Sequence, residues 1–239
     1  MSTMLQAAMC YLHSEKRFLT ADRQINQESY SRRFCQWKNE LNLQHQGLHV
    51  LNKTTGIELS NDWMYMAIVR DPIDRFLSAF VDKCVRWPRG AQCNNCKANM
   101  TCFVQQEYRR MMEEGKKNRL ERSWEDRHFF AQNWYCDFRS NYDKYNFIHY
   151  SNNPKDFDKF LKEFANLLKK RGIPETSIEY IMSQLKGGKT TNSTIQSEAR
   201  QYFEKLLRSS PYLMEYILRM YHHDFQLFHF KVPVFSFGK

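Results

Sequence analysis

The chain has 239 residues, enough for one domain of generous size that buries a core without staples. Its 36 Lys and Arg against 26 Asp and Glu leave a net charge of +10. The excess is spread through segments that also carry acids, which excludes a basic tail and leaves two readings: a polyanionic partner, or a basic soluble surface without one. No run approaches the roughly 18 apolar residues of a membrane span, and the start "MLQAAMCYL" lacks the basic-then-apolar layout of a secretory signal.

In chain order, "STMLQAAMCYL" sets Ser2 and Thr3 ahead of a stripe of Met4, Leu5, Ala8, Met9 and Leu12. It reads as a helix opened by a hydroxyl cap, whose free amides either receive a phosphate or sulfate or are simply capped. "LHVL" at 48–51 is a weak strand, and "WMYMAIVR" at 63–70 a clearer one, apolar and bounded by turn residues. Asp71 then caps a helix with Pro72 first and Asp74 in its first turn. Its apolar face is Ile73, Phe76, Leu77, Phe80, Val81 and Cys84. Arg70 thus stands at the carboxyl end of a strand, and Ser78 lies two turns along the less apolar side of the helix. Either Arg70 holds a phosphate with its planar fork, or it pairs with Asp74.

"CVRWPRGAQCNNCKANMTC" at 84–102 is a loop with little apolar material to hold it. Five of the seven cysteines fall between Cys84 and Cys136. Disulfides in an oxidising compartment are the favoured reading; zinc on Cys93 and Cys96 is the rival, although a second pair at matching spacing is missing. An odd total leaves one cysteine over. Asn52, Asn99 and Asn192 begin glycosylation triplets that agree with a lumenal location.

"YRRMMEEGKKNRLERSWEDR" carries Arg109, Arg110, Lys116, Lys117, Arg119 and Arg122 and reads as a solvated, ion-paired helix or the wall of a glycan groove. "YNFIHY" is another strand. Asn153 and Pro154 open a helix with Phe157, Phe160, Leu161, Phe164 and Leu168 on one face, stopped by Gly172 and Pro174. Ile178, Ile181, Met182 and Leu185 repeat that pattern; Tyr202, Phe203, Leu206 and Leu207 give a third stripe. Ser210 and Pro211 open a fourth helix through Tyr216, Ile217 and Met220. Few short strands among many helices predict an α/β fold with a small parallel sheet, whose ligands gather at the carboxyl ends of the strands.

"VRDPIDRFLSAFVDKC" closely resembles the 3′-phosphate-binding motif of Golgi carbohydrate sulfotransferases, the group that includes the chondroitin and dermatan 4-O-sulfotransferases. "RHFFAQNWYCDF", with His128, Gln132 and Cys136, is similar to a further family stretch. "TTNSTIQSEARQYF" followed by "SPYLMEYILRMYHHDFQLF" looks like the family's C-terminal portion. The resemblance implies a single domain over 1–239 with a P-loop-like PAPS-binding fold. Arg70 and Ser78 would hold the 3′-phosphate of 3′-phosphoadenosine 5′-phosphosulfate (PAPS), Ser2 and Thr3 would help hold its 5′ side, and His128 would be the base. The acceptor would be an acidic, chondroitin-like glycan in the Golgi lumen, with no nucleic-acid partner and no metal. Family members also carry an N-terminal anchor, a strand and a lysine-bearing loop that the chain as written lacks. It therefore reads as incomplete at the N-terminus, with membrane association only through the absent anchor, weak binding of 3′,5′-ADP and little turnover. A catalytically silent glycan binder and a zinc-stabilised nucleic-acid binder are the alternatives.

Overall fold

The computed structural model describes residues 2–36, 64–86, 93–117, 123, 125–136, 138–187 and 197–233. Its elements in chain order are α1 (Ser2–His13), α2 (Glu15–Thr20), β1 (Tyr65–Arg70), α3 (Pro72–Phe80), α4 (Met100–Glu114), α5 (Asp126–Phe129) and α6 (Phe138–Asn141). They are followed by β2 (Tyr145–Tyr150), α7 (Pro154–Lys170), α8 (Glu175–Gly187), α9 (Glu198–Ser209) and α10 (Pro211–Leu227). Helix starts follow the side chains that precede them. Asp71 accepts from the Asp74 amide at 2.8 Å, Asn99 from Cys102 at 3.0 Å and Asn153 from Lys155 at 3.1 Å. Ser197 and Ser210 cap α9 and α10 in the same way. Each such cap is worth about 1 kcal/mol.

Two compact units emerge: Met1–Gln44 with Asn153–Ser193, and His45–Asn152 with Thr194–Lys239. In the first, α1 begins at Ser2, so Thr3 lies inside the first turn and not ahead of the helix. The buried side of α1 is Met4, Ala7, Ala8, Cys10 and Tyr11; Leu5, Met9 and Leu12 are only half-buried. The expected stripe is thus turned towards Cys10, which forms a disulfide with Cys35. Tyr11 packs on Tyr180 of α8, ring centroids 4.7 Å apart, and on Phe18 of α2 at 5.7 Å. The buried carboxylate of Glu28 accepts from Arg23 Nε and, at 2.7 Å, from the Phe34 amide. Helix α7 buries Phe160, Leu161, Phe164 and Leu168. It ends at Gly172, whose φ of +72° lets the Ile173 amide reach back to the Leu168 carbonyl at 3.2 Å.

In the second unit β1 and β2 pair in parallel, from Tyr65 opposite Tyr145 to Arg70 opposite Tyr150. A parallel pair needs a long crossover, and the chain between the strands supplies it through α3 to α6. The core is aromatic. All six apolar residues expected on the face from Ile73 to Cys84 are buried, the last turns continuing as a π-helical segment, Val81–Arg86. Phe80 meets Phe203 of α9 at 5.0 Å, and Phe103 of α4 meets Phe129 of α5 at 4.6 Å. Burying each such ring is worth roughly 1.5–3 kcal/mol relative to exposure. Val69, Phe138 and Phe228 form a second, smaller cluster at the sheet. Helix α10 is bent at Tyr221 (φ −116°, ψ 18°), and the buried Tyr221 hydroxyl donates to the Phe129 carbonyl at 2.6 Å.

The expected disulfides are present. Cys84 pairs with Cys93 and Cys96 with Cys102, so neither Cys93 nor Cys96 remains as a thiolate for zinc, and the zinc reading gives way to bridges. Cys136, exposed, lies outside them. The bridges hold a stretch in which Cys93, Asn94, Asn95 and Lys97 all have positive φ, between 53° and 60°; four non-glycine residues in that region are costly unless their surroundings impose it. Among the described residues no helix is long and apolar enough to cross a membrane. "LHVL", Asn52, Asn192, Arg119 and Arg122 lie outside the described residues.

Candidate functional site

The carboxyl end of β1 is where charge collects. Arg70 follows the buried Val69, and the Asp71–Pro72 step then turns the chain into α3. Asp74, one turn in, takes a hydrogen bond from Arg70 Nε at 2.6 Å. Its other oxygen accepts from Arg200 Nη2 of α9, also at 2.6 Å. Two guanidinium groups therefore meet on one carboxylate, and Arg200 Nε also lies 3.5 Å from Glu204, which accepts from Arg208 at 2.9 Å. Burial pushes the Asp74 carboxyl up, but the two arginines outweigh it and hold it below the usual carboxylate range. Arg70 donates through Nε alone among the described residues, and its guanidinium carbon lies 5.5 Å from the Tyr150 ring centroid. The pairing with Asp74 and an anion on the remaining edge are thus compatible. Ser78, half-buried, is four residues beyond Asp74 and so shares its face of α3.

The strand end is also clamped from behind. The Gln132 side chain accepts from the Arg70 amide at 2.9 Å and donates to the Arg70 carbonyl at 2.8 Å, a reciprocal pair such as a neighbouring strand would supply. Gln132 opens a 3-10 turn, Gln132–Trp134, whose amides are held by Asp224 of α10. The fully buried Asp224 carboxylate accepts from the Gln132 amide at 2.7 Å, and from the Asn133 amide and side chain at 2.8 Å each. Buried charge is tolerated when its lone pairs are filled in this way.

His128 sits in α5, half-buried, between Arg127 and the buried Phe129. Arg75 of α3 ties this segment to the motif helix, donating to the Phe130 carbonyl at 2.8 Å and to the Arg127 carbonyl at 3.0 Å. The two family-like stretches, 69–84 and 127–138, are therefore fastened together by Arg75 and Gln132. Ser2 and Thr3 belong to the first compact unit, Arg70, Ser78 and His128 to the second.

Arg200, Arg75 and Asp224 stand outside the residues that sequence reasoning singled out. A signal existed for two of them: Arg200 is in phase with the buried Phe203 and Leu207, and Asp224 with Met220, Tyr221 and Phe225. A charge on an apolar face needs a partner, although periodicity does not name it.

A second ionic cluster lies beside α5. Arg110 of α4 donates at 3.1 Å to the buried Glu107 and also to the buried Asp126, while Asn94 of the disulfide loop donates to Glu107 at 2.9 Å. Arg110, grouped in the sequence with solvated basic residues, is thus a partner of buried acids. Burial pushes the Glu107 carboxyl up to about 7 against the pull of Arg110 and Asn94.

Comparison with known proteins places these features in a family. The model described as "Sulfotransferase family" matches residues 1–231. An uncharacterized protein of Caenorhabditis elegans is 39% identical over 236 residues, covering 98% of this chain and 65% of that protein. The putative sulfotransferase vep-2 of the same organism is 39% identical over 207 residues, 85% of this chain and 62% of the relative. Carbohydrate sulfotransferase chst-1, also from that organism, is 30% identical over 235 residues, 96% of this chain and 70% of the relative. The chain thus spans less than two thirds of the first two relatives' length. No solved structure matches it. With a family match over nearly its whole length, the chain belongs to the sulfotransferase family.

Proposed function

We propose that the protein is a PAPS-dependent carbohydrate O-sulfotransferase, a single domain of the P-loop-like sulfotransferase kind, that moves a sulfuryl group onto a hydroxyl of a glycosaminoglycan-like glycan. The observation that carries this reading is the strand-end junction, where the Arg70 guanidinium meets Asp74 through Nε alone among the described residues. A guanidinium edge at the start of a helix and at the carboxyl end of a parallel strand suits a nucleotide phosphate. Arg70 and Ser78 hold the 3′-phosphate. His128 takes the acceptor hydroxyl proton as the oxygen attacks sulfur. The bond from sulfur to the donor phosphate breaks, its electrons stay on that phosphate oxygen, and 3′,5′-ADP leaves.

The relative named as a carbohydrate sulfotransferase supports a glycan acceptor. The three disulfides support an oxidising compartment such as the Golgi lumen, and Asn99, exposed at the start of α4, is open to glycosylation. The test is binding of 3′,5′-ADP, followed by thermal stabilisation and calorimetry. The purified chain should be stabilised by it, and Arg70→Ala should weaken binding by about ten- to a hundredfold, as for loss of one charge-assisted contact. An unchanged dissociation constant in R70A would remove the basis of the proposal.

A further inference from the structure

A cleft of about 1060 Å³ opens in the second unit between α4, α10 and the Gln132–Trp134 turn, and neither Arg70, Ser78 nor His128 lines it. We infer that this cleft is a glycan subsite: it binds pyranose rings of the acceptor chain at a distance from the reacting sugar, an inference that rests on the glycan-acceptor reading above.

The chemistry of the walls selects the occupant. Trp134, Tyr108 and Tyr212 present aromatic faces, and the rings are held in place by their neighbours. Trp134 packs edge-on against the buried Phe130, ring centroids 5.4 Å apart. Tyr108 and Tyr212 each sit 5.2 Å from Tyr216, which braces both. Gln105 donates to the Tyr212 hydroxyl, fixing its edge. Between these faces stand planar polar groups: the Asn133 amide and the Glu215–Arg219 pair, one turn apart on α10.

Aromatic planes bordered by planar hydrogen-bonding side chains match a sugar ring, which has apolar C–H faces and a girdle of hydroxyls. A lipid chain or apolar helix would cover the Glu215–Arg219 pair, both side chains of which are more than half exposed, and strip it of water. A polyanion held by charge would want unpaired cations, and the Arg219 charge is already met by Glu215 at 2.5 Å. The size fits a short oligosaccharide, being at the upper end of small-ligand pockets. Position completes the argument. Asn133 and Trp134 face the cleft, while Gln132, the first residue of the same turn, clamps the backbone of Arg70. One short turn therefore touches both the glycan cleft and the strand end.

The test is calorimetric titration of the full chain with a desulfated chondroitin hexasaccharide, alongside 3′,5′-ADP on the same samples. Trp134→Ala and Tyr212→Ala should each weaken hexasaccharide binding about tenfold or more, while W134F stays within a few-fold of the parent. Tyr212 is 47% exposed, so its variant leaves the core untouched should W134A fold poorly. Hexasaccharide affinity that is unchanged in Y212A and W134A, that is absent from the parent, or that depends on salt and not on these rings overturns the subsite. Loss of hexasaccharide binding in the variants, with no 3′,5′-ADP binding by the parent, would instead leave the subsite standing and sink the donor-site reading.

Discussion

The two ionic clusters of the second unit are built around opposite centres, an acid in one and a base in the other. At the end of β1 two guanidiniums, Arg70 and Arg200, converge on the single carboxylate of Asp74. Beside α5 one guanidinium, Arg110, serves the two buried carboxylates of Glu107 and Asp126. In the first, Arg200 also reaches Glu204 at 3.5 Å, and Arg70 stands at the strand end with Asp74 as its one acid partner among the described residues. The second has more buried acid than base, burial raises the Glu107 carboxyl to about 7, and its hydrogen bonds hold Asn94 of the disulfide loop to α4. The same residue types thus fasten α3 and α9 to a strand end in one place and a disulfide loop to α4 in the other.

The contrast can be broken at its shared members. Arg110→Met should cost most, about 3 kcal/mol of unfolding free energy, because it strands two buried acids; adding Glu107→Gln should recover part of that loss in a denaturant titration. Asp74→Asn should cost less, about 2 kcal/mol, since Arg70 keeps partial access to water and the buried Arg200 keeps Glu204 at 3.5 Å. Its effect should also depend on pH. The Asp74 carboxyl titrates below its ordinary value in the folded state, so its contribution is complete above the unfolded pKa near 3.8 and is lost as pH falls through the folded one. Parent and D74N should therefore converge in acid.

Glu107→Gln alone should change stability least in acid and should show the opposite pH dependence. The folded chain holds a proton at Glu107 that the unfolded chain releases between pH 4.5 and about 7. Parent stability should thus decline as pH rises through that window. E107Q should lack this component, measured as the melting-temperature difference between pH 5 and 7.5. An identical difference in parent and variant would mean that Glu107 does not take up the proton.

Local grammar made much of the architecture legible. Asp71–Pro72 and Asn153–Pro154 announce helix starts, Gly172 a stop, and "YNFIHY" a strand that pairs with β1. The expectation of disulfides in 84–102 came from composition alone, since a loop so poor in apolar residues has nothing else to hold it. What periodicity does not encode is the distant partner of a polar side chain. Gln132 reaches Arg70 across 62 positions and Asp224 reaches Asn133 across 91; both bonds exist only once the helices have packed. The phase of α1 depends on a distant partner too: its buried side includes Cys10, which is bonded to Cys35, whereas the stripe of large apolar residues predicts Leu5 and Met9.

The bend of α10 at Tyr221 gives one helix two clients. Tyr212, Glu215 and Arg219 ahead of the bend, and His222 and His223 just beyond it, look onto the cleft; Asp224 serves the amides of the neighbouring turn. Because each added residue swings a helix by about 100°, the count from the Ser210 cap to Asp224 is a ruler that tolerates no insertion. Lengthening it by one would leave the cap intact and swing the carboxylate away from the peptide groups that depend on it. Natural variation in this helix should accordingly appear as substitution and never as a change of length.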